Sequence, residues 1–282
     1  MADNRLFLGT DDFHSIDISD PTKPKFQAKI SDRSRIRRIN GMVRRGNHIF
    51  AVSKDGWVNA FDVSDLVSPS LVAGIEMREE YDLTHPHDID LYGDHFVVPE
   101  SHGFVSHEEG KLATFKVFDG ESLLDEDQWT LSGVVSSNEL RGANRIQIRG
   151  DFAYVACSLR PDRNYDELRA TGVVVDISNP EDPLQAATVD WPDIRGSNGL
   201  TISGDVWFLA GGQTVQAYDI TSPANPQLLV SCQSTEAFPT PDDNAHDLVY
   251  RGGFLYVTSQ GDNGFVIFSV DDSDTRRLAE GG

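Results

Sequence analysis

RGANRIQIRGD (residues 141–151) and RGSNGLTISGD (residues 195–205) are one pattern written twice, 54 residues apart. Each reads Arg-Gly-small-Asn, then a short alternating run, then Gly-Asp. Three further copies align with them: INGMVRRGN from Ile39, PHDIDLYGD from Pro86 and AHDLVYRGG from Ala245. The anchor is Asn40, His87, Asn144, Asn198 or His246, and a glycine follows six residues later in every copy. A glycine followed by Asn, Asp or Gly between two alternating apolar runs is a hairpin turn, because glycine supplies the positive φ a tight turn needs. Each anchor therefore opens a short strand A that turns into a strand B: HIFAVS, HFVVPE, FAYVACS, VWFLAGG or FLYVTSQ.

A second pattern follows the hairpins. It appears as AFDVSDLVSPSLVAGI, VVVDISNPEDPLQAATV and AYDITSPANPQLLVS, and near the start of the chain as SIDISDPTKPKFQAKI. Strand C ends in Asp-x-Ser/Thr, prolines fix the turn and stop the ladder, and strand D leaves. KVFDGESLLDEDQWTLS and FSVDDSDTRRLAE are degenerate copies. Four strands per unit, recurring at anchor spacings of roughly 47–57 residues, are the blades of a β-propeller. No segment carries a helical period. The chain is expected to be all-β, one propeller domain over residues 1–282, with six blades and five as the alternative. The difficulty in the count is at the ends: RLFLGT is already a strand B, and TRRLAEGG is short.

VVVDISNPEDP, AYDITSPANP and SIDISDPTKP resemble the LVIVD repeat, a β-propeller repeat. The resemblance implies the fold over most of the chain. It implies no catalytic residue, since the motif is a structural turn.

Composition narrows the function. The chain of 282 residues carries 45 acidic against 24 basic side chains, a formal charge of −21. Such a surface repels phosphate backbones and excludes nucleic acid as the partner. MADNRLFLGT has neither a basic region nor a long apolar run, and no stretch is long enough for a membrane helix. Two cysteines do not make a disulfide framework. These features predict a cytoplasmic protein without a membrane partner.

Insertions point to one face. The A–B turns are minimal and most C–D turns are stereotyped, whereas the B–C segments PESHGFVSHEEGKLA and LRPDRNYDELRATG and the D–A links MREEYDLTHP, SSNELRG and EAFPTPDDN are long or polar. Function in such a scaffold lives in its loops. The five anchors are expected around the mouth on that face. Arg37, Arg141 and Arg195 stand three residues before the three Asn anchors, while Thr84 and Asp243 replace them before the His anchors. Arginine suits bidentate recognition of carboxylate or phosphate, so a small anionic ligand is expected, bound by Arg37, Asn40, Arg141, Asn144, Arg195, Asn198 and Arg160. The competing reading is structural: Asn caps loop backbone and Arg pairs with surface carboxylates.

His87, His246, His102 and Glu100 are the candidate acid–base groups, since imidazole titrates near neutrality. His85, His87 and His102, with Glu100, also form a candidate site for a divalent metal, although their spacing matches no recognised zinc pattern. A hydrogen-bonded polar loop is the alternative to both. His48 and His95 follow A–B turns and belong to the far face, while Asp11, Asp12, His14, Lys54, Asp162 and Gln260 belong to the mouth face. In His87-Asp88 and His246-Asp247 strand alternation aims each Asp away from its own His, toward a neighbouring blade or Arg. No nucleophile elbow, phosphate loop or cysteine cluster is present. Two classes remain: an enzyme of lyase, isomerase or hydrolase type acting on a small anion, and a non-catalytic scaffold for protein–protein interaction.

Overall fold

The computed structural model describes residues 4–101, 109–159, 169–191, 197–234, 238, 245–259 and 264–270. Its strands form six antiparallel sheets, each a meander in chain order, and a separate two-stranded ribbon. The chain is a six-bladed, all-β propeller. Blade 2 shows the full pattern: strand A is Ile39–Arg45, B His48–Ser53, C Trp57–Asp62 and D Ser70–Glu76. Blade 4 (Ala143–Arg149, Phe152–Leu159, Arg169–Asp176, Leu184–Trp191) and blade 5 (Ser197–Ser203, Val206–Gly211, Thr214–Asp219, Gln227–Gln233) repeat it. Blade 1 has strands B, C and D at Arg5–Gly9, Phe13–Asp17 and Lys25–Ile30. Blade 6 has strands A, B and C at Ala245–Arg251, Phe254–Ser259 and Phe265–Ser269. TRRLAEGG lies outside the described residues.

The turns form for the reasons their residues suggest. Gly46, Gly93, Gly150, Gly204 and Gly252 all sit at positive φ between +53° and +60° in the A–B turns, a region closed to most L-residues. At the C–D turns the aspartate accepts the backbone N–H two residues on: Asp17 from Ser19 at 2.8 Å, Asp62 from Ser64 at 2.7 Å, Asp176 from Ser178 at 2.9 Å and Asp219 from Thr221 at 2.8 Å. The Asp-x-Ser/Thr motif is thus an Asx turn. These N–H groups hold the Asp17 and Asp62 carboxyls below the usual carboxylate range. The residue after each aspartate donates its own N–H to the A–B turn, Val63 to Asn47, Ile177 to Asp151 and Ile220 to Asp205. That bond puts the A–B and C–D turns of a blade on one side and leaves B–C and D–A on the other.

Blade 3 departs from the pattern. Its strands are Asp90–Tyr92, His95–Glu100, Gly110–Lys116 and Thr130–Ser137, and its C–D connection folds into the ribbon Phe118–Asp119/Ser122–Leu123 and a 3₁₀ turn at Glu126–Gln128. Asp125 caps that turn and Gln128 bonds back to it. Trp129 then drops into the core and donates its indole N–H to the Leu124 carbonyl at 3.0 Å. Among the described residues the longest α-helix is the four-residue turn Arg78–Tyr81, and no helix is long and apolar enough to cross a membrane.

The chain divides into two compact units. Residues 1–100 and 113–133 carry blades 1 and 2 and most of blade 3, and residues 101–112 and 134–282 carry the remainder. In the first unit Phe13 stacks on Phe61 at 4.1 Å, and Phe50, Phe96, Phe118 and Trp129 pack as one aromatic cluster. In the second, Trp207 packs edge-on to Tyr154 at 5.3 Å. Its ring fills the space above Gly172, where a Cβ would also meet Val189 at 2.7 Å and Leu209 at 2.8 Å. Inner strands buried on both faces read as unbroken apolar runs, as in Phe50–Val52 and Trp207–Ala210.

Candidate functional site

The anchor residues share a backbone feature that their side chains do not reveal. In blade 2 the A–B register shifts between Ile39 and Gly41, so Asn40 is one residue too many for the ladder. The same shift flanks Asn144, Asn198 and His246. In blade 3 Pro86 bridges Glu100 and Asp90 pairs with Val97, which again leaves one extra residue on the strand A side, in the stretch that contains His87. A β-bulge releases its extra residue from the ladder and re-aims its side chain. Asn and His recur at these positions because each blade bulges there.

In the first unit the structure brings Asn40 and His87 together. Asn40 Nδ2 donates to the His87 carbonyl at 2.7 Å and lies 2.7 Å from His87 Nδ1. The carbonyl contact fixes which end of the amide is nitrogen. The same Nδ2 lies 3.4 Å from His87 Nε2, so it stands against the side of the ring that carries both nitrogens, and the contact is compatible with either tautomer. The blades nest closely here, because a Cβ on Gly41 would run into the Asp88 carboxylate and come within 2.7 Å of Asp88 Cα. Asp88 thus points at the neighbouring blade, as strand alternation predicts.

Glu100 is fully buried. It accepts the His85 backbone N–H at 2.9 Å and the Thr84 hydroxyl at 3.3 Å, so the carboxylate ties down the segment that delivers His87. Arg78 joins the same chain by donating Nη2 to the Thr84 carbonyl at 3.3 Å. Arg37 does not stand alone either: its Nε lies 3.6 Å from Asp55 Oδ2, and Arg38 donates Nη2 to Oδ1. Lys54 donates its backbone N–H to the Arg38 carbonyl at 3.2 Å. Asp12 is buried against Lys29 at 2.8 Å, Asp11 lies 3.6 Å from Arg33, and His14 Nε2 is 3.1 Å from the Thr10 hydroxyl. The Lys29 contact holds the Asp12 carboxyl low.

In the second unit Asn144 is almost fully buried at its bulge. Arg141 is half-buried, its N–H bonded to the Asn138 carbonyl at 3.3 Å. Arg145, beside the anchor, reaches past blade 5 to Asp247 of blade 6, with Nε 3.8 Å from Oδ2. Gly199 leaves that path open, since a Cβ there would meet Asp247 Cα at 2.8 Å and the His246 carbonyl at 3.0 Å. Sequence reasoning missed Arg38, Asp55 and Arg145. The first and third adjoin anchor or arginine positions it had marked, but the partner of Arg38 lies across blade 2 in its B–C turn and that of Arg145 in blade 6. His102, Arg160, Asp162, Arg195, Asp243 and Gln260 lie outside the described residues, as does the side chain of Asn198. Among the described residues no three His, Cys, Asp or Glu side chains converge in the way a metal site requires. Two of the three expected histidine ligands, His85 and His87, are therefore not joined by a further described donor.

The family profile described as the LVIVD repeat matches residues 141–159, 171–190 and 243–278. The chain carries LVIVD repeats. No curated protein matches the sequence. Among solved structures, a functionally unknown protein from Desulfotomaculum acetoxidans is similar at a TM-score of 0.63 and 15% identity, over 94% of this chain and 78% of that one. Chaetomium thermophilum Sqt1, bound to the N-terminus of the ribosomal protein L10, is similar at 0.59 and 12%, over 92% and 64%. The computationally designed Ika8 protein is similar at 0.53 and 11%, over 96% and 82%. At these identities the likeness is one of fold alone.

Proposed function

We propose that this propeller binds a small anionic molecule beside the first unit's Asn40–His87 contact, with Arg37 and His85, three residues before Asn40 and two before His87, as further binding groups, and that His87 is the group through which it acts on that molecule. The observation that carries the reading is the hold of Asn40 on His87, whose Nδ2 meets both the His87 carbonyl and the imidazole ring. A contact to the carbonyl alone would fix the backbone, whereas the contact to the ring also orients the imidazole, as the partner of a working histidine does. An imidazole so oriented can exchange a proton or a hydrogen bond with a carbonyl or developing oxyanion, which suits proton transfer at carbon or hydrolysis. Glu100 supports this arrangement from beneath through Thr84 and His85 and has no direct role in it.

A second reading, a non-catalytic propeller that holds another polypeptide, is favoured by one feature of blade 6. Val249, Tyr256 and Ile267 are cross-strand neighbours that form an exposed apolar row on one face, and the structurally similar Sqt1 is bound to a protein N-terminus. The two readings separate in one experiment: ¹⁵N-histidine NMR of the full chain at neutral pH, with succinate added. The first reading expects the His87 ring signals to shift on titration, a response absent in Asn40→Ala. Ring signals that ignore succinate overturn it in favour of the second.

A further inference from the structure

The loop entering blade 2 concentrates positive charge in an acidic chain. Arg33, Arg35, Arg37 and Arg38 lie within six residues. Two of them have separate duties: Arg35 stacks over Trp57 at 5.0 Å and pairs with Glu126 at 3.2 Å, and Arg33 faces Asp11. Arg37 and Arg38 share a single carboxylate. Asp55 Oδ1 accepts from Arg38 Nη2, and Oδ2, which accepts no hydrogen bond, faces Arg37 Nε at 3.6 Å as an ion pair. The arginine side chains are 56% and 50% exposed while the carboxylate beneath them is 23% exposed. Two outward cations over one shielded anion leave a net positive surface, and Arg78 adds to the positive field at Asp55.

The backbone points to the same place. Three described non-glycine residues have positive φ: Asn4, Arg38 and Asp82. Asn and Asp tolerate that region, but Arg38 at +48° does not adopt it without cost. It is held there from both sides, its N–H by Asp11 Oδ1 at 3.3 Å and its carbonyl by the Lys54 N–H at 3.2 Å. Strain maintained by surrounding contacts marks a residue whose side-chain direction matters. Here it aims the guanidinium at the Asp55 carboxylate, one residue before the strand that carries Asn40.

We infer that Asp55 is an internal stand-in for the ligand's own carboxylate: Arg37 and Arg38 are the carboxylate-binding pair of the first-unit site, and a small carboxylic acid binds by displacing Asp55 from them. This rests on the reading of that cluster as an anion site. A planar carboxylate fits the pair because the pair already faces one, hydrogen-bonded to Arg38 and within ion-pair reach of Arg37, and a ligand free to shift can satisfy the second oxygen that Asp55 leaves unbonded. Displacement leaves Asp55 within the field of Arg78, so the released charge is not stranded. The Arg38 bond holds the Asp55 carboxyl below its usual range and raises Arg38, so at neutral pH the exchange swaps one carboxylate for another and moves no proton.

Calorimetric titration of the full chain with succinate, beside inorganic phosphate, tests this. Asp55→Asn keeps the shape and removes the competing charge, and is expected to bind succinate about tenfold tighter than the parent chain. Arg38→Gly relieves the backbone at +48° and so keeps the fold, yet is expected to lose succinate binding. It tests the pair even where Asp55→Asn is unstable. Equal succinate affinity in the parent and a folded Asp55→Asn chain overturns the displacement. If His87→Gln then still loses binding, the site itself stands. Undiminished binding by Arg38→Gly overturns the arginine pair, and phosphate binding more tightly than succinate to Asp55→Asn overturns the carboxylate class. No succinate binding by any chain overturns both the inference and the site.

Discussion

Gly41→Ala tests whether the bulges nest as the structure shows. The added Cβ would fall on the Asp88 carboxylate and within 2.7 Å of Asp88 Cα. A clash with a side-chain tip is relieved by a rotamer change, but a clash with Cα requires the two blades to part. Overpacking of this kind costs about 1–3 kcal/mol, and the backbone contact places Gly41→Ala in the upper half of that range. For a chain of this size each kcal/mol lowers the melting temperature by roughly 2–4 °C, so a fall of about 4–12 °C is expected. Gly46→Ala is the control. Gly46 has φ +57° and nothing within 4 Å of its would-be Cβ, so it loses only the left-handed preference, about 1–2 kcal/mol. The assay is thermal unfolding by circular dichroism, paired with the NMR signal of the His87 ring. Parting the blades should also loosen the Asn40 contact and move the His87 ring signals, which Gly46→Ala should not do. If Gly41→Ala melts with the parent protein and the His87 ring signals stay where they are, the nesting of blades 2 and 3 is wrong and the orientation of His87 has another cause.

The Asx turns make an acid-sensitive set. A carboxyl lowered in the folded state contributes stability above its unfolded pKa, and that contribution is lost as pH falls through the folded value. Asp17 and Asp62 are lowered by the Ser19 and Ser64 N–H groups, so denaturant midpoints should fall on acidification below the ordinary aspartate range, and Asp62→Asn, which keeps the acceptor oxygen, should flatten that fall where Asp62→Ala removes the turn. The thiols differ sharply: burial pushes the Cys157 thiol far up, while Cys232 is exposed. A thiol reagent at neutral pH should modify one cysteine per native chain and two in denaturant, and prompt modification of both would contradict the burial of strand B in blade 4.

The blades were legible because two turns announce them. A Gly at fixed offset from each anchor and an Asp-x-Ser/Thr before each C–D turn are local devices, complete within a few residues, and both took the conformation their chemistry requires. Asp119-Gly120 in blade 3 carried the same kind of signal, and Gly120 turns at φ +61° in the ribbon there. The bulges were not legible. One extra residue leaves the apolar alternation of a seven-residue strand almost intact, and only the partner strand reveals the shift. Nor were the partners of Arg37 and Asp247 legible. Asp55 comes from the far end of blade 2's first hairpin and Arg145 from another blade, at sequence distances that no local pattern spans.

What the structure adds is a reason for the doublets. Asn40-Gly41 in blade 2 lies against His87-Asp88 in blade 3, and the glycine has no room for a side chain because of Asp88. In the second unit Asn198-Gly199 in blade 5 precedes His246-Asp247 in blade 6, and that glycine is confined by Asp247. Blade 4 has Asn144-Arg145 at the same two positions, and its arginine reaches the aspartate of blade 6. In blades 2, 4 and 5 the residue after the bulge thus answers a His-Asp blade: a glycine in the blade next to it, a long cation in the blade one further away. The anchor itself is left with a short polar side chain released from the ladder. A purely structural repeat would satisfy that position with one residue type throughout. The alternation of Asn with His, with Asn40 bonded to the His87 carbonyl and in contact with its ring, is what separates these positions from the Asx turns that blades 1, 2, 4 and 5 share.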